Sequence, residues 1–297
     1  MTIEMLTSNG EEAKSEPRQL ILAALEDRWK KYRVELKRCR EEFSFEAVHD
    51  LRIATRRILA IIQLLNSIYP RPRLQKLERA FKDQLDLLDD LRDTQVILAE
   101  SHEVIQEFPQ LQGFQKHLRY MQEKILRTLR KEIKKLETSE VKKRIRKTHE
   151  SMETEQIHDL ESEIMRAVDN AYLIAKQRYD WIDLARPTSI HRVRIAFKSF
   201  RYMVEIVHPL LQGFAPETLK RMNDYQALMG EIQDVEVFVG TLADYSENVS
   251  LTDLEPVRRY YEQRHTEAIS AYVEEMKQLD IFWRSAPDQP FPWEKTK

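Results

Sequence analysis

The sequence predicts an all-α protein: two four-helix bundles, related by a pseudo-twofold axis and generated by an internal duplication. Composition is the first reason. Of 297 residues, 33% are charged and only 5 are glycine, with Leu, Glu, Lys and Arg abundant, which is the usage of long solvated helices rather than of sheets joined by tight turns. The second is period, since apolar residues return every three or four positions over most of the chain. The third is repetition. "VHDLRIATRR" from Val48 and "IHRVRIAFKS" from Ile190 overlay His49 on His191, Arg52 on Arg194 and Arg56 on Lys198. "LRDTQVIL" from Leu91 overlays "IQDVEVFV" from Ile232, matching Asp93 to Asp234, and "RYMQEK" from Arg119 overlays "RYYEQR" from Arg259. The offsets are 142, 141 and 140 residues. Spacing that steady across three helices implies one unit of about 140 residues used twice.

Taken in order, residues 1–16 are polar and read as a tail, and Pro17 opens a helix through "RQLILAALEDRWKKYRVELKRC" on which Leu20, Ala24 and Tyr32 share a face. Ser44 is the expected N-cap of the first His helix, which runs to the turn "YPRP" at 69–72. A long helix follows over about 73–107. Past Pro109 and Gly113 comes another, with Leu118, Ile125, Leu129, Ile133 and Leu136 on its apolar side. The basic segment "VKKRIRK" closes this half. The second half runs through a helix over about 156–183, a Pro187 start before the second His helix, a turn near "HPLLQGFAPE", the helix "TLKRMNDYQALMGEIQDVEVFVGTL" and a last helix over about 255–283. The expected units are 17–150 and 151–285, forming one domain, with 286–297 as a C-terminal tail.

The formal net charge of −2 supplies no general attraction to polyanions, so any such binding must come from locally sorted charge. Cys39 is the only cysteine, which excludes an intramolecular disulfide and a thiolate zinc cluster and suits a reducing compartment. No apolar run approaches the ~20 residues of a membrane span, and the start lacks the pattern of a signal peptide. A cytoplasmic protein without a cofactor or a membrane partner is expected.

Charge is locally sorted on the two His helices. At about 100° per residue, Arg52, Arg56 and Arg57 share one broad stripe with His49, opposite Leu51, Ala54, Ile58, Ile61, Ile62 and Leu65. Arg194, Lys198 and Arg201 accompany His191 in the same way, opposite Val193, Ala196, Phe200, Met203 and Val204. One such helix is an ordinary solvated surface. Two that keep the same charged positions, while Thr55 differs from Phe197 and Leu59 from Arg201, suggest a row of like charges held for an anion.

The paired motifs resemble those of the CHAD family, the conserved-histidine α-helical domain, with its "VHDLRVATRR" and "HRLRIAAKRLRY" stretches; "LDDLRD" and "LMGEIQD" are similar to its "LGELRD" and "LGELND". The resemblance covers about 17–283. It implies a duplicated helical fold and inorganic polyphosphate as partner, held without catalysis in a basic groove or pore, and a place alongside polyphosphate granules. Carried over by position, His49, Arg52, Arg56 and Arg57 would line one side and His191, Arg194, Lys198 and Arg201 the other, supported by Lys82, Arg92, Lys124 and Arg264. The chain departs from the family pattern at Leu59, Ser199 and Asn223, where cations are usual. Spaced Arg forks, a mobile Lys and donating His rings suit a flexible phosphate chain, and binding is expected to tighten below about pH 6.5 as the imidazoles charge.

Two rival readings remain. His49-Asp50 recurs as His158-Asp159, which suggests a helical metal phosphohydrolase acting on phosphate esters or polyphosphate. However, His191 is followed by Arg192, and no metal-protease, phosphate-loop or tunnel-phosphatase motif occurs. Asp93 and Asp234 are expected to orient the groove cations by pairing with Arg. A nucleic-acid-binding helical module would use the same electrostatics, but only Tyr202 supplies an aromatic within a cationic stripe. Trp29, Trp181 and Trp283 are expected in packing roles, Cys39 as a small packing residue and His208 as a cap or surface residue.

Overall fold

Pro17 sits at the first turn of α1 (Pro17–Glu42), where its fixed φ suits a helix and its missing N–H costs nothing. The helix ends at Phe43, which adopts the left-handed conformation (φ 52°) and donates its N–H to the Cys39 carbonyl at 3.1 Å. One residue later Ser44 caps α2 (Phe45–Ile68), its Oγ accepting from the Ala47 N–H at 3.1 Å. The computed structural model describes residues 16–136, 138–186, 188–247 and 254–294, and every regular element in them is helical. The expected N-terminal tail before Glu16 and the Pro187 start lie outside the described residues.

The remaining long helices are α3 (Pro72–Glu103), α4 (Gln112–Lys135), α5 (Ser139–Thr154), α6 (Leu160–Asp180), α7 (Thr188–Val207), α8 (Pro216–Glu247) and α9 (Glu255–Glu275). The basic segment "VKKRIRK" belongs to α5, which runs through residue 150, so the expected boundary between the units falls inside a helix. Pro72 places the start of α3 one residue before the expected 73, and the last helix ends as a 3-10 segment, Met276–Ile281, rather than as one helix to 283. Phe291 and Trp293 stack on each other at 4.6 Å and pack edge-on against Trp283, tying down the segment expected as a C-terminal tail.

Neighbouring helices pack in chain order, α1 on α2 on α3 on α4 and α6 on α7 on α8 on α9, while α2 meets α6 and α7, and α3 meets α8 across the halves. The buried side chains do not sort by half. The larger core joins the apolar faces of α1, α2 and α3 to those of α6, α7 and the start of α8. The smaller joins the end of α3 and the start of α4, through Ile97, Phe114 and Leu118, to Phe238 of α8 and Tyr261 of α9. In α2 all six expected core residues are buried. Trp29, Trp283 and Cys39 are buried as expected, but Trp181 is 68% exposed at the end of α6, and nothing in the structure explains that placement.

Candidate functional site

With their apolar faces committed to the core, α2 and α7 turn their polar faces toward α3 and α8 and enclose a cavity of about 600 Å³. Into it come His49, Arg52 and Arg56 from α2, His191, Arg194 and Lys198 from α7, and Arg92 from α3. Asp86, Asp89 and Asp93 of α3 and Asp234 of α8 also line it. Among the residues that α2 and α7 turn into the cavity there is no carboxylate, and the facing helices supply those it has.

Two predicted wall residues do not reach this cavity. Arg57 borders a second cavity of about 460 Å³ with Arg28, Lys31 and Asp50, on the side of α2 that packs toward α1. Arg201, only 7% exposed, donates from Nε to Gln226 Oε1 at 3.0 Å, pairs with Glu205 and lies over the Tyr202 ring. Arg57 reaches the same Glu205 at 3.9 Å, so both cations serve an α2 to α7 tie instead. Of the supporting cations, only Arg92 lines the cavity. Lys82 is held by Glu78 at 2.8 Å, Lys124 is exposed on α4, and Arg264 is held between Glu100 and Glu231.

The cations in the cavity differ in how they are compensated. Arg52, 5% exposed, pairs with Asp89 at 2.5 Å and donates to the Leu85 carbonyl at 3.3 Å. Arg56, Arg92, Arg194 and Lys198 have no carboxylate within ion-pair distance among the described residues, and Arg194 Nε and His191 Nδ1 are buried without hydrogen-bond partners. Crowding tells on their basicity. Burial, then the guanidiniums of Arg56, Arg194, Arg52 and Arg201, pushes the Lys198 ammonium down to about 6. Burial and Arg52 push Arg56 down to about 10. Burial lowers both imidazoles, with Arg92 adding to the effect on His49 and Arg194 to that on His191. Enclosure raises the Asp93 and Asp234 carboxyls, toward their neutral forms. Burial and crowding therefore shift these groups toward their neutral forms, and the window in which the imidazoles charge lies on the acid side of the ordinary histidine value.

Each Asp of the two His-Asp pairs has another partner. Asp50 pairs with Arg38 Nη1 at 2.6 Å, and Asp159 caps α6, accepting from the Ser162 N–H at 3.3 Å. His208 receives the helix end through its Nδ1, 3.2 Å from the Glu205 carbonyl, in the capping role expected of it. Sequence reasoning missed Asp86 and Asp89. The signal that was available is their spacing to Asp93, seven and four residues, which places all three on one face of α3.

No curated protein matches the chain. Among solved structures, the crystal structure of the CHAD domain from the plant Ricinus communis matches with a TM-score of 0.65 at 15% identity, over 93% of this chain and 93% of that one. That likeness speaks for the fold. The family model of the CHAD domain matches residues 21–243, a span that takes in both His helices and the helices facing them. On that match the chain belongs to the CHAD domain family.

Proposed function

We propose that the cavity between α2, α3, α7 and α8 binds inorganic polyphosphate without catalysing its turnover. The observation that carries this reading is the cluster of Arg56, Arg92 and Arg194, three guanidiniums that face one cavity with no ion-pair partner among the described residues, beside Lys198, an amine that a bound anion would charge. Packing like charges without compensation is costly, and an anion of many tetrahedral units offsets that cost at several places at once. Binding without catalysis is supported by the engagement of Asp50 with Arg38, which leaves His49 no carboxylate partner on its own helix. The reading brings with it the expected cytoplasmic location near polyphosphate granules. Among the described residues, no helix is long and apolar enough to cross a membrane.

Direct titration with polyphosphate at rising salt tests the proposal. Affinity should fall steeply as salt rises, through release of counterions, and reversing both Arg194 and Lys198 to Glu should cost about a hundredfold, on the order of 2.7 kcal/mol. Single-stranded RNA with the same number of phosphates should compete poorly. An affinity unchanged in the double variant, or RNA competing on equal terms, would refute it.

A further inference from the structure

Phe45 opens α2 one turn before His49, and the two rings lie parallel, 3° apart in plane with centroids at 6.4 Å. The Arg92 guanidinium lies 5.5 Å from the centre of the same ring. Since His49 and Arg92 both line the central cavity, Phe45 stands at its edge, 40% exposed. Phe45 also borders a separate, shallow groove of about 290 Å³ between α3 and α4, with Gln95, Leu98, Ala99 and His102 from α3 and Gln122 from α4. Gln95 is only 5% exposed, and its Oε1 has no hydrogen-bond partner. A buried amide carbonyl without a donor is costly. A ligand in the groove, which Gln95 lines, can supply one once the amide rotates its oxygen outward.

We infer that this groove is a subsite for a nucleobase, so that the site accepts a nucleoside oligophosphate with its phosphates in the cavity. The inference rests on the phosphate reading of that cavity. A planar heterocycle stacks on Phe45, lies against Leu98 and Ala99, and donates an edge N–H to Gln95 Oε1. Its phosphate tail then passes His49 and Arg92, the two groups that contact Phe45 from the cavity side. Phosphates rather than further bases follow the first, because the cavity lining contains no aromatic ring besides the two imidazoles among the described residues. This is a site for one base and a row of phosphates, not for a nucleic-acid strand.

Calorimetric titration of the full chain with adenosine triphosphate, inorganic tripolyphosphate and long-chain polyphosphate tests the inference. Adenosine triphosphate should bind about tenfold more tightly than tripolyphosphate, despite its lower charge, through base stacking. Phe45→Ala should remove that advantage while leaving tripolyphosphate within about twofold, and Gln95→Leu, close in size, should reduce it. Phe45→Leu serves where the alanine variant melts early, and saturation-transfer NMR should show base protons in contact with the wild-type chain only. Equal affinity for the two short ligands, equal weakening of both by Phe45→Ala, or binding of long-chain polyphosphate alone would overturn the subsite and leave the phosphate reading standing. If none of the three binds, the phosphate reading falls and the subsite with it.

Discussion

The two His helices carry the same motif into opposite electrostatic situations. On α2, Arg52 is buried, paired with Asp89 and bonded to a carbonyl of α3. On α7, its counterpart Arg194 has a buried Nε without a partner. The facing helices account for the difference. The offset of 141 that aligns Asp93 with Asp234 also aligns Asp89 with Gly230 and Asp86 with Ala227, so α3 presents three carboxylates to the cavity and α8 one. A Cβ built on Gly230 would stand 3.7 Å from both Arg194 Nε and Nη2. The guanidinium lies over bare backbone where α3 offers Arg52 an anion. Arg52 is neutralised within its own wall, while Arg194, like Arg56 and Arg92, has no carboxylate at ion-pair distance among the described residues.

The sharpest way to break this comparison is to give Arg194 the partner that Arg52 has. Gly230→Asp has room for its Cβ at ordinary contact distance and should lower polyphosphate affinity about thirtyfold, on the order of 2 kcal/mol, with the melting temperature kept or raised. Unchanged affinity in a titration would show that Arg194 is not part of the receiving wall.

Lys198 gives the next largest effect, and its sign follows from its lowered pKa. The folded group titrates near 6 and the unfolded one near 10, so between these values the unfolded chain binds more protons and the stability from this group rises with pH. A bound polyanion favours the charged ammonium. Binding should therefore take up protons, tightening as pH falls toward 6 and levelling below it, apart from the imidazole contribution at still lower pH. Arg56 and Arg52 of α2 and Arg194 and Arg201 of α7 act on this lysine, and His49, His191, Arg92, Asp86, Asp89, Asp93 and Asp234 line the same cavity. Calorimetry at pH 7.5 in buffers of different ionisation enthalpy should register the uptake. Lys198→Met should abolish most of it, weaken binding about tenfold and melt higher. A variant that melts lower would mean that the free protein does not strain this lysine.

The smallest change sharpens the other wall. Asp89→Asn frees Arg52 and should strengthen polyphosphate binding about threefold, while lowering stability by about 1 kcal/mol through the lost charge-assisted bond, discounted because Asp89 is half exposed. Thermal melting and titration of the same sample check both parts.

Much of the fold was legible because helices announce themselves locally. The Pro17 start, the Ser44 cap and the apolar stripe of α2 are each set by neighbours a few residues away. The site was legible only to the extent that it depends on one helix at a time. A helical wheel places His49, Arg52 and Arg56 on one face, but it cannot show that Asp89, 37 residues further along, will lie 2.5 Å from Arg52. Arg201 shares the His191 face of the wheel but lies about 15 Å along the axis from that residue, where Gln226 and Glu205 claim it. The positions at which the two His helices differ, Thr55 against Phe197 and Leu59 against Arg201, are buried in both helices, so their differences record packing rather than drift at a surface.

The cores that cross between the halves bear on what the smallest viable piece of this protein is. Leu118 of α4 and Phe238 of α8 belong to one cluster, as do Leu65 of α2 and Phe200 of α7 to the other. A fragment ending near residue 150 would leave open the faces that Phe200, Val204 and Phe238 now cover, exposing a broad greasy surface rather than a finished protein. The two lengths of chain are lodgers in one building. Separated, each would have to find the other before either had a settled shape, so the cationic cavity at their seam comes into being only when the whole molecule does.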